Sequence, residues 1–282
     1  HMINKIAVVG AGTMGSGIAQ VAAQSGYQTI LFDVNTAVLE KAVQGIQKNL
    51  QFLVDKQKIS AEEKVMIFSR ISFVSNIKEC IADLIIEAIV EKISVKVEVF
   101  NQLAEFNNAT TVFASNTSSL SISAIQKEIK NPGRVVGMHF FNPAHVMKLV
   151  EVIKGDQTEE NIAELIYALC KKMGKTPVMC KDAPGFIVNR VARHYYLEAM
   201  KLVESGIAGI EDVDAIMESA GFKMGPFKLM DLIGIDVNLA VSTSLYEAFN
   251  KEERFKPSQL QIDKVAAGDL GKKTGKGFYS YL

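Results

Sequence analysis

Charge imbalance is the first thing this sequence lacks: 31 basic residues stand against 31 acidic ones, for a formal net charge of +0. Without a dense basic block it presents no nucleic-acid surface and no footprint for an anionic membrane, so any anionic ligand must be held by local groups. Cysteine is nearly as scarce. Cys80, Cys170 and Cys180 are scattered, with neither metal-ligand spacing nor a Cys-x-x-Cys pair. That pattern excludes a zinc framework and fits a reducing compartment, and we read all three as packing residues. No apolar run reaches membrane-spanning length, and no charged-then-apolar leader precedes the first strand. The expectation is a soluble, cytoplasmic protein without a metal. His1, standing ahead of Met2, is set aside from functional reasoning.

What is present is length and pattern. A chain of 282 residues is long for one average domain and comfortable for two. Ile3 to Val9 is apolar and ends in Gly10-Ala11-Gly12-Thr13-Met14-Gly15, after which Ile18 to Ala23 continues at helical period. This is strand, glycine turn, helix. Gly10 permits the tight turn, Gly12 lets a pyrophosphate approach the backbone, and Gly15 lets the helix pack closely with its positive end toward the phosphates. Thr13 and Met14 open that helix. A glycine turn alone is a weak signal, but a second apolar strand, Gln28 to Phe32, ends in Asp33 where a ribose-binding acid belongs. An acid there accepts from a ribose diol and repels a 2′-phosphate, and no arginine follows it. NAD is favoured over NADP. The competing role for Asp33 is an N-cap for the helix starting near Thr36.

From Ala37 to about Arg70 the periodicity is helical, with Leu39, Val43, Ile46, Leu50 and Leu53 on one face. A helical pair of this length is an insertion in a nucleotide-binding fold, and insertions tend to carry ligand contacts. Further strands are predicted at Ile71 to Val74, Leu84 to Ile89, Thr111 to Ala114 and Arg134 to Phe140, alternating with helices as a parallel sheet requires. Residues just past the strand ends line the crevice of such a sheet. They are Glu91 with Lys96, the cluster Ser115-Asn116-Thr117-Ser118-Ser119, and His139 with Asn142. The plain alternative for the hydroxyl cluster is N-capping of the next helix.

His139 closes one apolar run and Glu151 lies within the next, Lys148 to Ile153. If the two runs pair as antiparallel strands folding about His145, positions 139 and 151 fall opposite each other, as a general base and its orienting partner require. His145 and His194 lack such company and read as structural. Asp182, just before Pro184, reads as a boundary residue. Past it, helical periodicity takes over at Phe186 to Glu204, Ile210 to Ala220, Pro226 to Phe249 and Pro257 to Ala267, with glycines and prolines at the breaks. The expected architecture is α/β: a Rossmann-type, doubly wound, mainly parallel sheet with an inserted helical pair (1–183), followed by an all-α C-terminal domain (184–282). The apolar faces of the later helices exceed what one small bundle needs, which points to a homodimer through this domain. Met217, Met224 and Met230 read as core filler rather than an acyl-chain lining.

The pieces come in a telling order. Gly10 to Gly15 is followed by Glu87-Ala88-Ile89-Val90-Glu91, Ala114 to Leu120, His139-Phe140-Phe141-Asn142-Pro143, Asp182 to Arg190, and Gly271 to Tyr279. In that order they resemble the L-3-hydroxyacyl-CoA dehydrogenases, most of all the bacterial 3-hydroxybutyryl-CoA dehydrogenases. The resemblance implies NAD as cofactor and a short-chain acyl-CoA substrate. It implies that His139 is the base, Glu151 its partner, and Ser118 and Asn189 polar contacts to the reacting substrate. It further implies that Asp33, Glu91, Lys96, Ser118, Asn142 and Lys273 surround the dinucleotide, with Lys56 near the CoA. Asn49 departs from the family, which can carry a serine there.

The two remaining readings are a β-hydroxyacid dehydrogenase acting on a free acid and a non-enzymatic nucleotide-binding or structural relative. The first relies on a catalytic lysine where this chain has Asn189, and the second has no use for a base.

Overall fold

The structure, a computed structural model, describes residues 2–281; His1 and Leu282 lie outside the described residues. The chain divides into two compact units, His1–Ala183 and Pro184–Leu282.

The first unit is built on one sheet. Its first two strands, β1 (Lys5–Val9) and β2 (Gln28–Phe32), flank helix α1 (Thr13–Gln24) in sequence. The inserted pair is α2 (Thr36–Asp55) and α3 (Ala61–Ser69), the second started by a capping box of Ser60 and Glu63. Then follow β3 (Ile71–Val74), β4 (Leu84–Glu87), α4 (Ile93–Ala104), β5 (Val112–Ser115), α5 (Ile122–Gln126), β6 (Val135–Phe140), β7 (Leu149–Lys154), α6 (Glu160–Lys172) and β8 (Thr176–Lys181). The sheet order is β3-β2-β1-β4-β5-β6-β7-β8. Every pair is parallel except β6 with β7.

Near-continuous apolar strands such as Ile6 to Val9 and Leu84 to Ile86 suit a sheet covered on both faces, and they form the centre of the core with Ile18, Leu31 and Ile46. Strand β8 and its crossover helix α6 extend the sheet beyond the strands expected from pattern. Pro177, the second residue of β8, sits where a proline is tolerated, on an edge strand.

The second unit is helical: α7 (Val188–Glu204), α8 (Ile210–Ser219), α9 (Pro226–Ile233), α10 (Ile235–Ala248) and α11 (Gln259–Ala266). The single helix expected from Pro226 to Phe249 is two, bent by 101°. The break is Gly234, whose φ of 105° lies outside the helical range and where an added Cβ would come within 3.3 Å of the Lys273 side chain. Met230 is fully buried among Tyr196, Leu197, Met200 and Phe227, as a core methionine.

The last segment is held by two buried carboxylates. Asp231 accepts from the backbone N–H groups of Phe278 and Tyr279 and from the Tyr281 hydroxyl, at 2.9, 3.0 and 2.8 Å. Asp214 accepts from the Phe227 and Lys228 N–H groups and from the Tyr279 hydroxyl. Among the described residues no single helix is long and apolar enough to cross a membrane.

Candidate active site

Sheet order reverses around β1, which pairs β2 on one side and β4 on the other. A crevice at the strand C-termini opens at such a switch point, and the glycine turn stands there. Gly10 adopts φ 102°, and a Cβ on it would lie 2.6 Å from the Ala88 carbonyl oxygen. On Gly15 a Cβ would lie 1.7 Å from the Gly10 carbonyl oxygen, so helix α1 could not start where it does. A Cβ on Gly12 would meet nothing within 4 Å. Gly12 is also the N-cap of α1, and no side chain caps that helix. Thr13 and Met14 follow, so the helix presents unsatisfied N–H groups and its positive end to a space where backbone can be approached closely.

Asp33 completes this corner. Its Oδ2 accepts from the Ala11 N–H at 2.9 Å and its Oδ1 from the Asn35 N–H at 2.9 Å. The N-cap of α2 is Asn35, whose side chain accepts from the Ala37 N–H. Capping therefore does not account for Asp33, and its carboxylate is tied to the glycine turn itself.

Beyond β4 lies a polar network that no single motif announces. Glu87, fully buried at the end of β4, accepts from Lys96 Nζ at 2.6 Å, from the Ser115 hydroxyl at 2.7 Å and from the Ile89 N–H at 2.7 Å. Lys96 also reaches Glu91 at 3.1 Å. The other oxygen of Glu91 gathers the Thr117 hydroxyl, the Ser118 N–H at 3.0 Å and the Ser119 hydroxyl at 3.3 Å. Burial pushes the Glu91 carboxyl up, but Lys96, Thr117 and Ser118 together outweigh it and hold the group below its usual range.

Thr117, Ser118 and Ser119 thus converge on Glu91 and Ser115 turns to Glu87, while α5 is capped by Ser121. Lys96, expected beside the dinucleotide, is 1% exposed with its ammonium spent on two carboxylates.

Strands β6 and β7 place the remaining pair. His139 and Glu151 are register partners, and His139 Nδ1 donates to Glu151 Oε2 at 2.8 Å, with both residues buried. The Phe140 N–H donates to Asn116 Oδ1 at 2.8 Å, which ties the end of β6 to the segment carrying Ser118. Asn142 follows on an exposed turn.

On the helical pair Lys56 is exposed at the end of α2, with Nζ 5.6 Å from the centre of the Phe52 ring. Asn49 donates to Gln20 of α1 at 3.0 Å, so its side chain is engaged within the unit. Asp182 accepts from the Ser121 hydroxyl and the Ser123 N–H, a structural task at the start of α5. In the second unit Asn189 lies in the first turn of α7, and Lys273 pairs with Asp236 at 2.6 Å. His194 packs its ring 5.1 Å from that of Phe255.

Residues 5–183 match the 3-hydroxyacyl-CoA dehydrogenase NAD binding domain, and residues 185–281 match the C-terminal domain of the same family. The chain belongs to the 3-hydroxyacyl-CoA dehydrogenase family. It is 48% identical over 281 residues to a 3-hydroxyadipyl-CoA dehydrogenase of Escherichia coli, covering 99% of this chain and 59% of the relative. A crystal structure of a 3-hydroxybutyryl-CoA dehydrogenase from the same organism gives a TM-score of 0.97 at 48% identity, covering 100% of this chain and 60% of that one. The crystal structure of an (S)-3-hydroxybutyryl-CoA dehydrogenase from Ralstonia eutropha gives 0.95 at 37% identity, with 100% of both chains covered.

The family's cofactor is NAD, and the residues present fit it. The uncapped start of α1 and the open space at Gly12 suit a diphosphate, and Asp33 at the end of β2 suits a ribose diol. The sequence pattern placed Asn116 and Thr117 at the crevice without assigning either a partner, and it gave Glu87 no task. The one available signal was Glu87 itself, a carboxylate ending an otherwise apolar strand with a lysine nine positions on.

Proposed function

We propose that this protein interconverts (S)-3-hydroxybutyryl-CoA, or a similar short 3-hydroxyacyl-CoA, and acetoacetyl-CoA. The observation that carries the reading is the 2.8 Å bond between His139 and Glu151, a base and an orienting carboxylate brought together in a buried hairpin of a family member. NAD, when bound, accepts or returns the hydride. The protein then has one proton to manage. With Nδ1–H committed to Glu151, proton exchange with the 3-hydroxyl falls to Nε2 of His139, and Glu151 stabilises the imidazolium that forms. Ser118, positioned by Glu91, is assigned to the C3 oxygen, and Asn189 to the thioester or to charge developing beside it. Asp33, Glu91, Lys96, Asn142 and Lys273 are assigned to the dinucleotide and Lys56 to the CoA.

The decisive assay follows NADH consumption with acetoacetyl-CoA. Wild type turns over, and His139→Ala loses roughly 10²- to 10⁴-fold in rate. An inactive wild type would sink the reading, and preference for NADPH would sink the role of Asp33. The name of the E. coli relative supplies the second reading, 3-hydroxyadipyl-CoA, and the ratio of kcat/KM for the two substrates decides between them.

We also assign a homodimer through the helical unit, which exposes Val191, Ile207, Ile216, Phe222 and Leu232. A monomeric mass by light scattering would refute it. A cytoplasmic setting is supported by three free thiols kept unreactive by burial, which pushes Cys80 and Cys170 up to about 12 and Cys180 up to about 11.

A further inference from the structure

The connection between β6 and β7, residues 141–148, joins His139 to the strand carrying Glu151 and bears Asn142. Inside it the N–H groups of Val146 and Met147 both donate to the Pro143 carbonyl, at 3.0 and 2.9 Å, closing one helical turn. A lone turn leaves its later carbonyls without N–H partners. Here one side chain takes both. Lys175 Nζ donates to the Ala144 carbonyl at 2.5 Å and to the Met147 carbonyl at 2.7 Å, from a residue only 9% exposed. The lysine is itself fixed, because its N–H donates to the Cys170 carbonyl and the next residue's N–H to the Lys148 carbonyl. On the opposite side Ala144 fits against Gly17 of α1, where a Cβ would come within 3.1 Å.

We propose that Lys175 is a positioning residue for the reaction: its ammonium grips the turn after His139 and so holds Asn142 and the two strand ends in their working arrangement. The proposal rests on the assignment of His139 and Asn142 to catalysis and cofactor. Lys175 has no role in the mechanism described above, and none of the motifs singled out in the sequence contains it.

The surroundings give this grip a pH dependence. The titratable groups facing Lys175 are His145 and Lys148 from the turn and Cys170 from α6, and none of them is anionic near neutrality. Burial, with the charge of Lys148 next, pushes the Lys175 ammonium down to about 8. Burial and then Lys175 hold His145 below its usual range, and burial keeps Cys170 a neutral thiol. A deprotonated Lys175 retains two N–H donors but loses charge assistance, which roughly doubles the strength of such bonds. The turn therefore loosens as pH rises through about 8.

The test compares wild type, Lys175→Met and Lys175→Arg in the reductive assay across neutral to alkaline pH, with amide hydrogen exchange at Val146 and Met147 read separately. In Lys175→Met, kcat falls roughly tenfold to a hundredfold, a size expected when reacting groups are misplaced by about 1 Å. Wild type should show an alkaline fall in the protection of these two amides as pH passes about 8; in Lys175→Met, KM for acetoacetyl-CoA holds, both amides exchange faster, and that fall disappears. Lys175→Arg keeps the charge, restores most of kcat and moves the alkaline fall upward. Wild-type kcat and amide protection in Lys175→Met, or an alkaline fall unmoved in Lys175→Arg, would overturn the proposal. Should the methionine variant fail to fold, wild type against Lys175→Arg decides. If wild type itself shows no turnover, the functional reading has failed, and amide exchange still reports on the grip.

Discussion

Glu87 and Lys96 form a 2.6 Å ion pair from which water is excluded, with relative exposures of 0% and 1%. Removing one partner strands the other charge in the interior. Lys96→Met should therefore cost about 3–5 kcal/mol of stability, whereas the double replacement Glu87→Leu with Lys96→Met should recover much of that loss. Urea unfolding of wild type, the two single variants Lys96→Met and Glu87→Leu, and the double variant measures it. The double variant should still be a poor enzyme, because Glu91 loses the lysine that helps orient it toward Ser118.

Gly12 and Gly15 separate folding from cofactor binding. A methyl group on Gly12 meets no protein atom within 4 Å, so Gly12→Ala should keep the melting temperature and lose NADH affinity. At Gly15 the methyl collides with the Gly10 carbonyl, so Gly15→Ala should lower both. Thermal melting paired with NADH fluorescence titration distinguishes the two, and equal losses of stability would contradict the open space at Gly12.

Strong alkali should loosen the C-terminal segment. Burial, and then the hydrogen bond to Asp231, raise the Tyr281 hydroxyl above its ordinary range, and Tyr279 is raised in the same way by burial and Asp214. A raised folded value means that this contribution is fully present below the unfolded tyrosine value of about 10 and is lost as pH climbs beyond it. Tyr281→Phe should cost about 1 kcal/mol at neutral pH and flatten the alkaline fall in melting temperature. An unchanged fall would show that these hydroxyls do not govern it.

Much of this was readable from residue pattern, for identifiable reasons. The glycine turn, Asp33 and the His139–Glu151 register depend on short-range spacing, which period and turn chemistry fix directly. The 101° break at Gly234 was hidden because apolar periodicity continues on both sides of the glycine, whose φ of 105° makes the corner. Strand β8 opens as Thr176-Pro177, and proline argues against a strand unless the edge position is already known. The convergence of Thr117 and Ser119 on Glu91 depends on contacts across 26 and 28 residues and on neighbouring strands, and the burial of Lys96, whose partner Glu87 is only nine residues away, depends on how the tertiary structure packs around the pair. No local pattern encodes such contacts.

One reversal in an otherwise parallel sheet has its own consequence. Asp33 and the Ala11 amide, 22 residues apart, are brought together by a crossover helix, whereas His139 and Glu151 meet through a connection of eight residues. The His139–Glu151 pair thus sits in a hairpin of low contact order, with little loop-closure entropy to overcome. Hairpin register is set by turn type and loop length, so an insertion into residues 141–148 would shift His139 out of line with Glu151, and this short connection is the part of the hairpin least free to change.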